Sequence, residues 1–494
     1  MLEQSTYKEL PKVSVVIPVY QMQDFLPETL DSVLASDYSN FEIIIVDDGS
    51  KDHSYEIACS YAKKHAHVTA LTKPNSGASG ARNFGIARAK GSLILPVDAD
   101  NLIHPTFISK AVNAIMRDEE VKVVAPSSQY FGEKTGPWKL PPFSLRLLAR
   151  KNIIDCCALF RKADWERIGG YNEDIPTRED WAFWIALLKN GGKVIRLPEI
   201  LLSYRVRSTS KRVTNRRKKF LVIDRLNQLH PEFFQQILHG PLHHRRTWSL
   251  ALNILHRLTH PRHFHINPKY AHLQAEVKAL PAYFKYNAGT LLHRQRNELR
   301  ELTFQGLRVV AKSYQTPNLI NRIVYGLLRP SKAKRSFNYA NKLRSLGIHS
   351  PEPVAYFTEH CFLLFSQSYY VCLKSSLNHS YADLINADFP DSEPILRAIA
   401  RTAAKLHDAG MIHKDFSRGN ILFDTTPKGI SVEIIDLNRI RFHKPGIEEG
   451  CRNFERLPAT PEMLAILADE YARARGFNST ECLKLMQKYN HAQP

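Results

Sequence analysis

The stretch His413-Lys414-Asp415-Phe416-Ser417-Arg418-Gly419-Asn420, followed by Ile434-Ile435-Asp436, decides the fold of the C-terminal part of this chain. It places a carboxylate, Asp415, ahead of an amide, Asn420, and sets a second carboxylate, Asp436, directly after an apolar run. A His-x-Asp tripeptide alone is more often a capped turn. The complete pattern supplies one group that can accept a proton and two oxygen ligands that suit a divalent cation.

Upstream elements complete this pattern in a fixed order. An apolar, β-branched run at 307–312 predicts a strand that carries Lys312, and a helix is expected at 396–406, just before the loop. The set resembles kinase-fold enzymes. That resemblance implies that Lys312 contacts the phosphates of ATP, that Asp415 deprotonates the acceptor hydroxyl, and that Asn420 and Asp436 hold Mg²⁺.

Several details separate the C-terminal part from protein kinases. Asp436 is followed by Leu-Asn instead of Phe-Gly, no Ala-Pro-Glu segment follows, and the expected phosphate loop has few glycines. The segments 332–336, 347–348 and 351–353 instead resemble the lipopolysaccharide kinase group, over about residues 280–445. This resemblance implies phosphorylation of a sugar of the lipid A–core region.

One departure from that group concerns the partner of the lysine. No Asp or Glu occurs between Leu302 and Ser350, and Ser336 stands where the acidic helix residue is expected. Lys312 would then be positioned by Glu352 or Asp436. Otherwise the domain is a pseudokinase that binds nucleotide without turnover. The same acid-free stretch, rich in Lys and Arg, suits an anionic glycolipid.

The N-terminal part alternates strands and helices. Short apolar runs predict strands at 13–17, 42–46 and 92–97, with a helix at 25–35. This alternation predicts a doubly wound, mostly parallel sheet, in which ligands bind at the carboxyl ends of the strands. Asp47-Asp48 and Asp98-Ala99-Asp100 fall there. Asp is also a common N-cap, so Asp47 and Asp48 alone could simply begin helices.

The order of motifs in this part resembles family 2 glycosyltransferases of the GT-A fold, over about residues 10–210. The motifs are 16–20, Asp47-Asp48-Gly49-Ser50, Asn75-Ser76-Gly77, Ala81-Arg82-Asn83, Asp98-Ala99-Asp100, Gly169–Glu173 and Glu179-Asp180-Trp181. The resemblance implies that a nucleotide-sugar donor, with UDP-sugar expected, is bound by Pro18, Tyr20, Asp48, Arg82 and Asp98. Tyr20 would stack on the base, and Asp48 would accept a hydrogen bond from it. Asp100 would ligate Mg²⁺ or Mn²⁺.

Asp180 is predicted to be the general base of an inverting transfer. A helix expected at 177–190, with Thr177 as N-cap, places Asp180 in its first turn, where the helix dipole favours an ionised carboxylate. Acidic residues also simply favour helix starts, so the assignment depends on the whole motif order. No third metal ligand is identifiable downstream, where Arg207 is a possible phosphate contact.

The net charge of +20 over 494 residues favours an anionic partner, although a basic surface can also serve solubility. Nucleic acid is not expected, because no basic platform interleaved with aromatic residues is present. The seven cysteines are scattered and odd in number, which is typical of reduced thiols in a cytoplasm. No long apolar run occurs, so the expected membrane contact is peripheral, aided by the basic run at 211–219.

Three segments are predicted: a glycosyltransferase domain at 1–225, a helical connector at 226–280 and a lipopolysaccharide-kinase-like α+β domain at 281–494. The connector is rich in histidine, but no Cys, Asp or Glu between Glu232 and Glu276 could complete a zinc site.

The chain is therefore predicted to be a bifunctional enzyme of lipopolysaccharide core or cell-envelope glycan synthesis, acting at the cytoplasmic face of the inner membrane. Its front part would transfer a sugar to the glycolipid core, and its back part would phosphorylate a core sugar with ATP. The alternative is an active glycosyltransferase joined to a non-catalytic pseudokinase.

Overall fold

The computed structural model describes residues 10–207, 219–327, 329–362, 364–386, 389, 392–427 and 429–490. The chain divides into two compact units, Met1–Asn253 and Ile254–Pro494. Of the basic run predicted at 211–219, only Lys219 lies within the described residues. No helix in the described part of the chain is both long and apolar enough to cross a bilayer.

The first unit is built on one large sheet flanked by helices. Its strands are Val13–Val19 (β1), Phe41–Asp47 (β2), Val68–Thr72 (β3), Leu93–Pro96 (β4), Leu102–Ile103 (β5), Val121–Gly132 (β6), Gly136–Trp138 (β7), Leu159–Arg161 (β8) and Lys193–Val206 (β9). Its helices are Leu26–Leu34 (α1), Ser54–Lys64 (α2), Gly77–Arg88 (α3), Phe107–Met116 (α4), Leu145–Leu148 (α5), Lys162–Ile168 (α6), Glu179–Leu188 (α7), Lys219–Leu229 (α8) and Pro231–Leu238 (α9), and Ser249–Thr259 (α10) follows at the boundary.

The strand order is β3-β2-β1-β4-β8-β6-β9-β5, with β7 added beside β6. The β3-β2-β1-β4 half is parallel, whereas β8 runs antiparallel to both β4 and β6, and β5 runs antiparallel to β9. The sheet is therefore mixed, which corrects the expectation of a mostly parallel one. The prediction was based only on the first strands, and these are the parallel ones.

Successive side chains of the central strands point to opposite faces of the sheet. They contribute to two apolar cores, one on each face. Val16, Ile44 and Val46 pack on the side of α3 and α7, while Val15 and Ile17 pack on the side of α1 and α4. Both faces are covered, which explains why these strands read as continuous apolar runs.

The start of α7 differs from the predicted helix. The helix begins at Glu179, and its N-cap is Arg178 in the left-handed conformation, with φ 60° and ψ 35°, instead of Thr177. Trp181, Trp184 and Leu188 are buried, as their helical spacing predicts. Asp180 remains in the first turn.

The second unit contains an antiparallel sheet and a mainly helical body. Its strands are Arg262–Ile266 (β10), Thr290–Arg294 (β11), Glu298–Phe304 (β12), Leu307–Tyr314 (β13), Pro353–Cys361 (β14), Leu364–Leu373 (β15), His379–Ser380 (β16), Ile412–His413 (β17), Ile421–Thr426 (β18), Gly429–Ile434 (β19) and Ile440–Arg441 (β20). Its helices are Gln274–Lys278 (α11), Leu280–Lys285 (α12), Leu319–Leu327 (α13), Lys332–Ser345 (α14), Tyr381–Asn386 (α15), Ser392–Asp408 (α16), Ile447–Arg452 (α17), Pro461–Arg475 (α18) and Ser479–Tyr489 (α19).

The sheet order is β10-β14-β15-β13-β12-β11, and α14 contacts β14 and β15. The predicted lysine strand corresponds to β13, and the helix predicted before the His413–Asn420 loop corresponds to α16. The helical body packs α16 and α19 against α18, with the hairpin β18–β19 beside α16.

The predicted connector at 226–280 is not purely helical. Phe233, Phe234 and Leu238 join the core of the first unit, whereas Tyr270 and Leu273 join the core under the second unit's sheet. Strand β10 lies within this segment and pairs with β14, which corrects the all-helical expectation.

Candidate active sites

A cavity of about 700 Å³ lies at the carboxyl ends of β1, β2 and β4 in the first unit. It gathers every residue that the sequence predicts for the transferase. These lining residues are Pro18, Tyr20, Asp48, Arg82, Asp98, Asp100 and Asp180. Asp47 is instead held inside the fold, where its carboxylate accepts hydrogen bonds from the Ser50 backbone and the Thr72 hydroxyl.

Asp48 anchors the loop that leads into α3. Its Oδ1 accepts hydrogen bonds from the Ser76 backbone N–H at 2.9 Å and from Lys73 Nζ at 3.1 Å, and its Oδ2 accepts one from the Gly77 N–H at 2.8 Å. The carboxylate is buried at the cavity wall. Because each oxygen has two acceptor sites, Oδ2 keeps one for a further donor, such as a nucleotide base.

Arg82 bridges two acids across the cavity. Its Nη2 donates to Asp98 Oδ1 and its Nη1 donates to Glu179 Oε1, both at 2.7 Å. Burial tends to lower the pKa of Arg82, but the charges of Asp98 and Glu179 raise it well above its ordinary value. In the structure both ends of the guanidinium hold carboxylates. Direct contact of Arg82 with the donor stays a prediction.

Asp98 and Asp100 present two carboxylates on the same wall. Asp98 Oδ2 accepts a hydrogen bond from Cys156 Sγ at 3.1 Å, and Asp100 Oδ2 accepts one from Arg207 Nη2 at 2.6 Å. Burial, followed by the negative charge of Asp98, raises the pKa of Asp100. Arg207, a possible phosphate contact from the sequence, therefore pairs with the predicted metal ligand.

These residues fit a divalent cation. Among the described residues, no group of three or more His, Cys, Asp or Glu side chains is arranged to hold a metal ion by itself. The chain would therefore supply the Asp98 and Asp100 carboxylates, and the substrate would supply further oxygens. This arrangement is typical of Mg²⁺. Burial and the charge of Asp98 raise the pKa of Asp100, so a positive charge beside the two carboxylates would favour their ionised forms.

Asp180 lies on the cavity wall with a perturbed carboxyl group. Asn152 Nδ2 donates to its Oδ2 at 2.6 Å, and the Trp181 N–H donates to its Oδ1 at 2.9 Å. Burial, followed by the negative charge of Glu179, raises its pKa to about 7. The helix start was expected to keep Asp180 fully ionised, but desolvation outweighs that effect. A pKa near neutrality suits a general base.

Two residues of this site were missed from the sequence. Asp155 lines the cavity, and burial raises its pKa to about 6, with the charge of Asp98 adding to the rise. Its neighbour Cys156 donates to Asp98. Both precede β8, whose antiparallel pairing with β4 brings them beside Asp98. The only sequence signal was an acidic residue just before a buried apolar segment.

The second unit brings its four predicted residues to one region. Lys312 Nζ lies 2.6 Å from Asp436 Oδ1, and both side chains are largely shielded from solvent. Of the two acids predicted to position Lys312, the structure therefore selects Asp436. Glu352 is bound elsewhere, by Lys269 at 2.9 Å.

Asp415 and Asn420 are tied together in the loop after β17. Asn420 Nδ2 donates to the Asp415 carbonyl at 2.9 Å, which leaves the amide oxygen for another partner. Arg456 Nη1 donates to Asp415 Oδ1 at 2.6 Å, and Arg439 Nη1 lies 3.5 Å from Oδ2. His413 is buried beneath the loop, and desolvation lowers its pKa.

The donor set fits Mg²⁺ in this unit as well. Asn420 and Asp436 offer an amide oxygen and a carboxylate, which are the hard ligands that Mg²⁺ prefers. Ser336 takes the predicted position on α14: it is buried and its hydroxyl lies 2.8 Å from the Tyr314 hydroxyl on the lysine strand.

Comparison with known families agrees with this geometry. Residues 14–169 match the family model described as glycosyl transferase family 2, and residues 299–489 match the lipopolysaccharide kinase (Kdo/WaaP) family. Both predicted resemblances, and the predicted fold classes, are confirmed.

Individual relatives cover only parts of the chain. An uncharacterised glycosyltransferase of Rickettsia felis is 32% identical over 193 residues, which are 36% of this chain and 32% of that protein. The chain spans less than two thirds of the length of the curated relatives that it matches. Among solved structures, S. aureus TarS 1-349 with UDP-GlcNAc has a TM-score of 0.40 at 18% identity, covering 56% of this chain and 79% of that one. WaaP in complex with acyl carrier protein has a TM-score of 0.34 at 14% identity, covering 46% and 97%.

Proposed function

Because the chain joins a family 2 glycosyltransferase domain to a lipopolysaccharide kinase family domain, we propose that it both transfers a sugar and phosphorylates one. The observation that carries the transferase activity is the convergence of all seven predicted residues on one cavity, with the pKa of Asp180 raised to about 7. The proposed acceptor is a lipopolysaccharide core or a related glycolipid.

In the proposed transfer, Tyr20 and Asp48 bind the nucleotide base of the donor. Asp98 and Asp100 would hold a divalent cation, and that cation would neutralise charge on the departing diphosphate. Asp180 takes the proton from the acceptor hydroxyl, which attacks the anomeric carbon from the face opposite the nucleotide. One attack of this kind inverts the configuration at that carbon.

The test for the transferase is hydrolysis and transfer with a panel of labelled UDP- and GDP-sugars in the presence of Mn²⁺. Asp100→Asn is expected to weaken the dependence on the cation and to lower turnover, because one carboxylate ligand is lost. The exposed residue Asp174 offers a matched control, Asp174→Asn. Absence of cation-dependent turnover with every donor would contradict the proposal.

For the second unit we propose ATP-dependent phosphorylation of a core sugar. Lys312, held by Asp436, would contact the phosphates of ATP, and Asn420 with Asp436 would hold Mg²⁺. Asp415 would orient the acceptor hydroxyl and accept its proton. The supporting observation is the 2.6 Å Lys312–Asp436 contact, which replaces the absent helix acid.

Phosphate transfer from labelled ATP to core-glycolipid fractions tests this activity. Wild type is expected to label a fraction, and Asp415→Ala is expected to lose at least about a hundredfold in rate, since general base catalysis contributes about that much. No transfer by wild type, combined with retained nucleotide binding, would favour the pseudokinase alternative.

We also propose peripheral contact with the cytoplasmic face of an anionic membrane, carried by α13. Leu319, Ile320 and Ile323 of this helix are exposed. Residues 303–349 around it contain nine Lys and Arg and no Asp or Glu. An apolar helix face in a basic, acid-free segment suits an anionic lipid interface, where each basic residue that reaches the lipid contributes about 1 kcal/mol.

Flotation with liposomes tests the membrane contact. Wild type is expected to float with phosphatidylglycerol liposomes and not with phosphatidylcholine, whereas the double variant Ile320→Asp and Ile323→Asp should remain in solution. Phe362→Asp is the matched control, because Phe362 is an exposed apolar residue outside α13. Equal flotation of the two variants would contradict the assignment of this surface.

A further inference from the structure

The transferase cavity has a cationic end that the mechanism above does not use. Lys151, Arg178 and Arg246 line the cavity. Among the described residues, no carboxylate lies within ion-pair distance of any of the three. The other two arginines of the wall, Arg82 and Arg207, are both paired with acids.

The three cations belong to segments that flank the predicted base. Lys151 precedes Asn152, whose amide donates to Asp180 at 2.6 Å, and Arg178 is the N-cap of the helix that carries Asp180. Arg246 Nη1 donates to the carbonyl of Arg150, and its guanidinium lies 5.8 Å from the Trp181 ring centroid. The cations therefore lie at the side of the cavity where the acceptor hydroxyl must approach Asp180.

Two further features favour a built site. Arg178 adopts the left-handed conformation, which a residue with a side chain rarely adopts and which often marks functional positions. The pKa of Arg246 is lowered by burial and by the positive charge of Arg178, so an anion between them would relieve both effects.

An aromatic wall accompanies the cations. Trp138 and Tyr204 both line the cavity, with ring centroids 5.1 Å apart, and Tyr130 stacks behind Trp138 at 5.3 Å. Partly exposed aromatic faces of this kind pack against the C–H face of a pyranose ring. The cavity therefore combines an aromatic face with cations that have no carboxylate partner among the described residues.

We propose that this end of the cavity is an acceptor subsite for a pyranose that carries a phosphate or carboxylate close to the hydroxyl that Asp180 deprotonates. The inference rests on the proposed transferase function and specifies its acceptor. Lys151, Arg178 and Arg246 bind the anion, and Trp138 supports the ring.

The test measures binding of glucose 6-phosphate, glucuronate and glucose to the full chain saturated with UDP and Mg²⁺, by ligand-observed NMR. Glucose 6-phosphate, glucuronate or both should bind about tenfold more tightly than glucose, as expected for charge-assisted hydrogen bonds. The preferred anion identifies the substituent. The double variant Arg178→Gln and Arg246→Gln should lose the preference, whereas Arg117→Gln, at an exposed position outside the cavity, should retain it.

Trp138→Ala supplies an independent measurement, because it should weaken all three sugars by a similar factor and leave the anion preference intact. Equal binding of glucose and both anionic sugars by wild type would overturn the proposal. Competition between UDP and the anionic sugar would also overturn it, because the cations would then belong to the donor diphosphate. UDP affinity, measured in every variant, confirms folding and tests the donor site separately from the anion preference.

Discussion

The pH dependence of sugar transfer provides a direct test of Asp180. Because the pKa of this carboxyl is raised to about 7, its ionised fraction is about one tenth at pH 6, one half at pH 7 and nine tenths at pH 8. Only the ionised form can accept a proton. We therefore expect kcat/KM for transfer to rise about tenfold from pH 6 to pH 8, with its midpoint near pH 7.

The variant Asp180→Asn removes the base and keeps the shape of the side chain. Turnover is expected to fall by about a hundredfold to ten-thousandfold, and the remaining rate should lose the rise near pH 7. Initial rates of UDP release in a buffer series from pH 5.5 to 9 measure both effects, with Asp174→Asn as the control. A wild-type profile without a rise, or the same midpoint in Asp180→Asn, would refute the assignment.

Protein stability gives a second readout of the same group. A carboxyl whose pKa is higher in the folded than in the unfolded state binds its proton more tightly when folded, so stability falls as pH rises from about 4 to about 7. The full shift corresponds to about 4 kcal/mol, and solvent in the open cavity reduces this to about 1–2 kcal/mol. Asp180→Asn should therefore unfold at a higher temperature than wild type at pH 8, and the two should converge at pH 4.

Four further outcomes are expected. Gly85→Ala should cost about 1–3 kcal/mol in urea unfolding, because a Cβ there would lie 2.6 Å from a valine of β1 and 2.9 Å from a valine of β2. Lys312→Met should abolish labelling from ATP, and Asp436→Asn should do the same, since one contact joins the pair. Arg456→Gln should lower kcat of phosphorylation by about tenfold at constant KM for ATP, because the 2.6 Å contact that holds Asp415 is lost. If the kinase product is the anionic acceptor, preincubation of core glycolipid with ATP should increase sugar transfer, and an unchanged rate would contradict that order.

The transferase cavity was largely predictable because its residues follow consecutive parallel strands. The carboxyl ends of such strands meet at one edge, so Tyr20, Asp48 and Asp98 had to lie together once β1, β2 and β4 were recognised. Asp155 was not predictable in this way. Its place depends on the antiparallel pairing of β8 with β4, a long-range contact with no local signal.

Strand β10 shows a second limit of local patterns. Its residues, Arg-His-Phe-His-Ile, alternate in burial, but the His-rich composition around it favoured a helical interpretation. What makes it a strand is its antiparallel partner β14, far along the chain, together with the 2.8 Å ion pair between Arg262 and Glu359. Such pairing is a tertiary effect that intrinsic propensity does not report.

The second unit lacks the acidic helix residue that was expected to pair with Lys312, and Asp436 supplies a carboxylate to Lys312 instead. Asp436 ends up in the left-handed conformation, with φ 55°, and its carboxylate reaches Lys312. Ser336 is buried at the position of the missing acid, and its neutral hydroxyl contacts the hydroxyl of Tyr314. No unpaired charge is therefore buried at this position. Because Asp436 is also a predicted cation ligand, one carboxylate would serve both the lysine and the cation. Lys312 therefore has an acidic partner although the helix acid is absent. Phosphate transfer from ATP is the measurement that distinguishes the proposed kinase activity from the pseudokinase alternative.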